Sequence, residues 1–165
     1  MPQFSNSPPA LPSLILRQFL KAEAPADFER ALALRLTVFV EEQAVPLEEE
    51  RDEADETALH FLVLHPETQE SLATGRMMAY QEGCQMRPVA KIGRVAVSKS
   101  MRGQGLGEWL MRQILNAIDA ERFDQAILDA QVQALPFYEK LGFMAEGDEF
   151  LDAGIPHYRM RLVLS

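Results

Sequence analysis

Ile92 to Leu110 reads IGRVAVSKSMRGQGLGEWL, and this stretch decides the fold. A β-rich apolar run ends at Val97, the pattern of a strand. A short basic loop follows, then Arg102-Gly103-Gln104-Gly105-Leu106-Gly107. Leu106, Leu110, Ile114 and Ala117 recur on one stripe, which predicts an amphipathic helix over 103–121. Glycines at a helix entry let a ligand approach the backbone closely. The first helical turn offers unpaired N–H groups at the positive end of the dipole. Together these features form a phosphate cradle. A Walker A loop would end in Gly-Lys-Ser/Thr, but Gly107 is followed by Glu108 and Trp109. A dinucleotide fingerprint starting at Gly103 would need a small residue where Glu108 stands. Neither pattern is met. From spacing alone, a purely structural turn stays open as the alternative.

Upstream, Met1 to Ser13 holds Pro2, Pro8, Pro9 and Pro12 and reads as a flexible tail. Leu14–Leu20 reads as a strand, and a helix opens at Pro25 and Asp27. Phe28, Leu32, Leu36 and Phe39 form its apolar face, and it should fade near Gln43, ahead of Pro46. Residues 48–56, EEERDEADE, hold seven acids and one arginine. Such a run repels itself and reads as a solvated loop. Leu59–Leu64, Leu72–Tyr80 and Val89–Val97 read as strands. Downstream come a strand at Ala126–Ala130, a short helix at Leu135–Leu141 stopped by Gly142, and two closing strands joined at Asp152-Ala153-Gly154. Strands and helices alternate in the middle and strands run together at the ends. That order predicts an α/β fold with a mixed sheet in one domain over 14–165.

The chain has 165 residues and a formal net charge of −9, which argues against a general nucleic-acid coater. No apolar run approaches the ~18 residues of a membrane helix. The N-terminus has neither the basic start nor the apolar core of a signal peptide, so a cytoplasmic location is expected. The lone Cys84 has no His near it in sequence and predicts no acyl-enzyme chemistry. No His, Cys or carboxylate spacing suggests a metal.

Arg102 to Gly107 resembles the Arg/Gln-x-x-Gly-x-Gly/Ala loop of the GNAT superfamily of acetyl-CoA-dependent N-acetyltransferases. Leu128 to Phe143, LDAQVQALPFYEKLGF, looks like that family's second signature. Leu34 to Gln43, then Asp52, Asp55 and His60, and Gly154-Ile155-Pro156-His157 resemble the small ElaA-like branch. The likeness runs over about residues 14–165. It implies a mostly antiparallel twisted sheet flanked by helices. It also implies transfer of an acetyl group from acetyl-CoA to a primary amine, small-molecule or peptide, by direct attack in a ternary complex. A dimer is a further implication. A non-catalytic acyl-CoA sensor is the alternative, and an acyl-homoserine-lactone synthase would need a second, nucleoside substrate for which nothing here calls.

By this resemblance, backbone groups of Val95, Ala96 and Val97 would hold the pantetheine arm. N–H groups of Arg102, Gly103, Gln104, Gly105, Leu106 and Gly107 would wrap the pyrophosphate, with Leu106's side chain in the core. Tyr138 would be the general acid toward the departing thiolate, and Phe137 packing. Glu41, Glu42, His60 and His157 are candidates for the base or for acceptor contacts, as is a water chain, and the residues do not choose among them. Residues 83–107 hold Arg87, Lys91, Arg94, Lys99 and Arg102 without an acid, so a locally basic segment is expected to meet the anionic coenzyme. The acidic run is expected to favour a cationic acceptor.

Overall fold

The structure is a computed structural model, and it describes residues 13–164. Residues 1–12 of the expected tail lie outside the described residues. Seven strands form one sheet in the order β1-β2-β3-β4-β5-β7-β6. They are β1 Ile15–Leu20, β2 Leu59–Leu64, β3 Ser71–Tyr80, β4 Val89–Val97, β5 Gln125–Gln131, β6 Met144–Asp152 and β7 Ile155–Val163. Every neighbouring pair is antiparallel except β4 with β5. The helices are α1 Pro25–Arg35, α2 Leu47–Glu50, α3 Leu106–Asn116 and α4 Leu135–Glu139. This is the mixed, mostly antiparallel sheet expected from the sequence. No helix among the described residues is long and apolar enough to cross a membrane.

Alternation along β2 sorts the core into two layers. Phe61 and Val63 join the cluster that includes Leu106, Leu110 and Ile114 of α3. Leu62 and Leu64 join Phe28, Ala31 and Leu32 of α1. Period-two side chains point to opposite faces, so α1 and α3 cover opposite faces of the sheet. Gly75 on β3 permits the close approach of α3, since a Cβ there would lie 2.9 Å from Ile114 Cδ1. The parallel β4–β5 pair follows from the crossover through α3.

Two irregularities of β4 open the site. Its pairing with β5 is confined to Ala90↔Ala126 and Lys91↔Ile127. Beyond Lys91 the two strands part, although β4 continues to Val97 and β5 to Gln131. Against β3, Thr74 faces Ala96 and Arg76 faces Gly93, so Arg94 and Val95 stand opposite Gly75 alone. This is a β-bulge, and Arg94 takes φ +50° within it. At the far edge, β6 pairs only with β7 and is exposed along nearly its whole length. Its pairing skips from Glu146↔Arg159 to Phe150↔His157, bulging Gly147-Asp148-Glu149 outward.

Three expectations change. The predicted helix 103–121 is confined to Leu106–Asn116. Gly103 and Gly105 stand at φ +76° and +83°, outside helical space, and the chain turns after Asn116 to bury Ile118 and Phe123. The first helix winds on toward Gln43 as expected, but as a π-helical segment over Leu36–Glu42, closed by Gln43 N–H donating to the Val38 carbonyl at 3.2 Å. That winding buries Val38 and leaves Leu36 and Phe39 half-buried.

The third concerns the acidic run, which is not a wholly solvated loop. It forms α2 and a 3-10 turn at Glu53–Glu56, and Glu50 and Asp55 are 1% and 4% exposed. The Asp55 carboxylate accepts from Arg35 Nη1 at 2.9 Å and from Arg76 Nη1 at 2.7 Å. Arg35 Nε donates to Glu50 at 2.6 Å, and Arg76 Nη2 donates to Asp52 at 2.8 Å. Arg94 completes the cluster, 3.7 Å from both Glu50 and Asp52. His60 Nε2 donates to the Asp55 carbonyl at 2.9 Å, its ring between Phe19 and Phe28.

Burial alone would raise the carboxyls of Asp52 and Asp55. For Asp55 the hydrogen bonds and charges of Arg35 and Arg76 outweigh it; for Asp52 the Ala54 N–H, Arg76 and Arg94 do so, and both sit below the usual carboxylate range. Burial pushes the His60 imidazole below its ordinary value of 6.5. In each case the unfolded chain binds protons more readily, so stability is full above the unfolded pKa and is lost as pH falls toward the folded one. Thermal unfolding followed from pH 8 to pH 3 is therefore expected to show a Tm that declines in two stages. The upper stage begins near the ordinary histidine value and disappears in His60→Gln. The lower begins near 4.5, where free Glu titrates, because Arg161 also holds Glu82 and Glu146 below that value, and it steepens near 3.8, where free Asp titrates.

Candidate active site

Two concavities meet on the bulged half of β4. A groove of about 480 Å³ is lined by Val95 and Val97 on one side and by the loop on the other. Arg102, Gly103, Gly105, Leu106 and Gly107 line it, with Phe137 and Lys140 from and just after α4. A cavity of about 470 Å³ occupies the parting of β4 and β5, lined by Gly93, Arg94 and Val95 on one wall and Leu128 to Gln131 on the other. Val95 lines both. So do the neighbours Phe137 and Tyr138 between them, Phe137 in the groove and Tyr138 in the cavity.

The loop is shaped for a ligand backbone. Gly103 and Gly105 lie in the left-handed region, and a Cβ at either would meet nothing within 4 Å. Both glycines also line the groove. No side chain caps the first turn of α3, whose N–H groups begin just after Gly105. These features fit an anionic diphosphate. Ala96 lies apart: it is 2% exposed and packs with Leu34 and Val38. The Gln104 side chain is exposed and donates to the Ser100 carbonyl at 3.2 Å. Leu106 is 1% exposed and belongs to the main core while touching the groove.

Arg102 is already engaged. Its Nε donates to the Val97 carbonyl at 3.1 Å and its Nη2 to the Glu42 carboxylate. Most of the expected basic segment is likewise matched by acids. Arg87 pairs with Asp124 at 2.6 Å, Lys91 with Asp129 at 3.8 Å, and Arg94 with Glu50 and Asp52. The expected local excess of positive charge is thus largely cancelled in three dimensions.

The base candidates separate. His157 lines the cavity and is 8% exposed. Its Nδ1 lies 2.6 Å from the Ile155 carbonyl, which can only accept, so Nδ1 carries a proton and Nε2 is the ring nitrogen left for other partners. Phe150 stacks on its ring at 5.9 Å. His60 lines neither concavity: it is buried between two phenylalanines, its Nε2 spent on a carbonyl, and the expectation of a base there gives way to a structural role. Glu41 is exposed and Glu42 is paired with Arg102, and neither lines the cavity. Tyr138 is held edge-on by Phe137 at 4.9 Å and Phe143 at 6.2 Å. Burial pushes its phenol up to about 12, so it stays protonated through neutral pH.

The sequence reading missed the polar wall of the cavity, to which Glu50, Asp52, Arg76, Arg94 and Asp129 contribute. Gly93 inside a β-rich run was the available signal for a bulge there. The partners of Arg94 come from more than 40 residues away and left no local trace.

The family model described as an acetyltransferase (GNAT) domain matches residues 23–164. The chain belongs to the GNAT acetyltransferase family. An uncharacterised N-acetyltransferase of Bacillus subtilis (strain 168), YjcF, is 39% identical over 84% of this chain and 94% of its own length. The crystal structure of an acyl-CoA N-acyltransferase from Pseudomonas aeruginosa superposes with a TM-score of 0.77 at 31% identity, over 90% of this chain and 99% of that one. Escherichia coli ElaA superposes with a TM-score of 0.77 at 27% identity, over the same shares. As a GNAT protein, the chain is an acyltransferase that draws on acyl-CoA and an amine.

Gly105→Asn tests the loop. Asn tolerates a left-handed φ, so the fold should persist with little change in Tm. Its side chain would occupy the open space beside the loop. Calorimetric affinity for acetyl-CoA is expected to fall by about tenfold or more.

Proposed function

We propose that the protein transfers the acetyl group of acetyl-CoA to a primary amine by direct attack within a ternary complex. The observation that carries this reading is the meeting of groove and cavity at Val95. Coenzyme diphosphate lies on Gly103 to Gly107, its arm runs along Val95 and Val97, and the thioester reaches the parting of β4 and β5. The acceptor enters from the cavity side.

The reaction follows from the groups at that junction. His157 Nε2 takes a proton from the acceptor ammonium, leaving a nucleophilic amine. The amine attacks the thioester carbonyl and forms the C–N bond. A backbone N–H of the bulge, freed from the β3 ladder near Val95, stabilises the oxyanion. The C–S bond then breaks. Tyr138 donates to the departing sulfur, and the second proton lost by the nitrogen balances the thiol formed. A phenol this reluctant to ionise works first as a hydrogen-bond donor and yields its proton only as charge develops on sulfur.

Release of free thiol in the presence of acetyl-CoA and a broad amine panel tests the reading. Turnover with at least one amine is expected. Tyr138→Phe should lower kcat by about a hundredfold, a usual size for a lost acid, with acetyl-CoA affinity kept. His157→Gln should lower kcat similarly, with activity recovering as pH rises and the amine deprotonates unaided. Tight acetyl-CoA binding with no thiol release from any amine would make the protein an acyl-CoA-binding module instead.

A further inference from the structure

We propose that the acceptor carries, besides its amine, a neutral group that both donates and accepts hydrogen bonds, a hydroxyl or a carboxamide, which docks on Glu50, Arg76 and Arg94. The inference rests on the acetyltransferase reading of the cavity and names the acceptor class. Among the described residues, the buried side-chain atoms without a hydrogen-bond partner include Glu50 Oε2, Arg76 Nε and Arg94 Nε. All three residues line the same cavity. Glu50 has a fully buried side chain and that of Arg76 is 3% exposed. Their grouping is tight. Arg94 Nε lies 3.7 Å from Glu50 Oε1, too far for a hydrogen bond, and both guanidinium groups approach Asp52 Oδ2, at 2.8 and 3.7 Å.

Unsatisfied buried polar atoms are rare in native proteins and point to a missing partner. Here the open valences are one acceptor and two donors. A group that completes them must offer a hydrogen to Glu50 Oε2 and a lone pair to the guanidinium N–H groups, and these side chains must part slightly to admit it, because each of the three atoms is closed to solvent. The balance within this cluster favours a neutral group at this wall, while the cavity as a whole is also lined by Glu49, Lys91, Asp129 and Asp152. Arg35, Arg76 and Arg94 face Glu50, Asp52 and Asp55, so the cluster is balanced. An added ammonium or carboxylate would leave an unmatched charge in a desolvated place. The cavity, at about 470 Å³, is also far larger than an amine alone requires. Arg94 adjoins Val95, so the polar wall and the reacting end belong to one acceptor molecule.

Matched amines test this: 3-aminopropan-1-ol against propylamine, 3-aminopropanamide against butylamine, and 1,3-diaminopropane as the cationic comparison. A site built to pair a hydroxyl or amide discriminates strongly against its loss. The polar member of each pair is expected to have a kcat/KM at least tenfold higher, and the diamine to resemble propylamine. Arg94→Lys keeps the charge and removes the Nε donor; it should cut the preference to threefold or less while acetyl-CoA affinity holds. Glu50→Gln should cut it too, provided its Tm shows it folded. Equal kcat/KM within the pairs, a preferred diamine, or a preference untouched by Arg94→Lys would overturn the proposal, the last leaving a retained water as the partner of the orphan atoms. A readout free of turnover separates this from the catalytic reading. The Nε–H signals of Arg76 and Arg94, followed by NMR in the CoA-saturated protein, are expected to shift on adding 3-aminopropan-1-ol and not propylamine. If no amine is acetylated but those signals move, the reaction fails and the subsite stands; if they do not move, the subsite fails.

Discussion

A charge taken out of water must be matched, and in this protein one carboxylate matches two. Asp55 receives the guanidinium groups of Arg35 and Arg76 within 3 Å. Through them it fastens the end of α1 to the middle of β3. Glu50 and Asp52 extend the cluster to Arg94 on the bulge of β4. Such an arrangement contributes little net stability over an apolar core of the same volume, because desolvation offsets the attraction. Its effect is on placement. Any one of these side chains left alone would be strongly unfavourable, so the acidic segment has one position against the sheet. That position makes the polar wall of the cavity beside β4.

The parting of β4 and β5 is the second half of the design. A parallel pair that shares only two register positions leaves backbone groups of both strands facing a gap. The bulge at Arg94 and Val95 adds a further unpaired stretch at the same height. Elsewhere in the sheet such omissions would weaken the core. Here they fall where the glycine loop before α3 lines the groove and Tyr138 of α4 lines the adjoining cavity. On the α3 face, Leu106, Leu110 and Ile114 pack in one cluster with residues of β3 and β4.

The fold was legible because its signals are local. The strands show β-rich runs closed by turn residues, and the loop at Arg102 to Gly107 announces itself through glycine. Half of the candidate site was legible for the same reason: Val95, Val97 and the glycines line one groove, and Tyr138 and His157 line the adjoining cavity. The errors share one cause. EEERDEADE looks self-repelling in one dimension, and only the folded chain brings arginines to it from 15, 21 and 44 residues away. His60 stood among four candidates for the base or for acceptor contacts because sequence cannot show that Phe19 and Phe28 enclose it. The basic look of 83–107 dissolved in the same way, through Glu42, Glu50, Asp52, Asp124 and Asp129.

The outer strand β6 carries a different message. A long exposed edge offers unpaired N–H and C=O groups to any passing strand. This one interrupts the offer with the outward bulge at Gly147-Asp148-Glu149. It also lines the edge with Glu146, Asp148, Glu149 and Asp152. Two copies brought together along β6 would set these carboxylates against each other and find no continuous ladder to share. The edge is thus guarded against endless sheet growth, the hazard that a seven-stranded open sheet exposes at its rim.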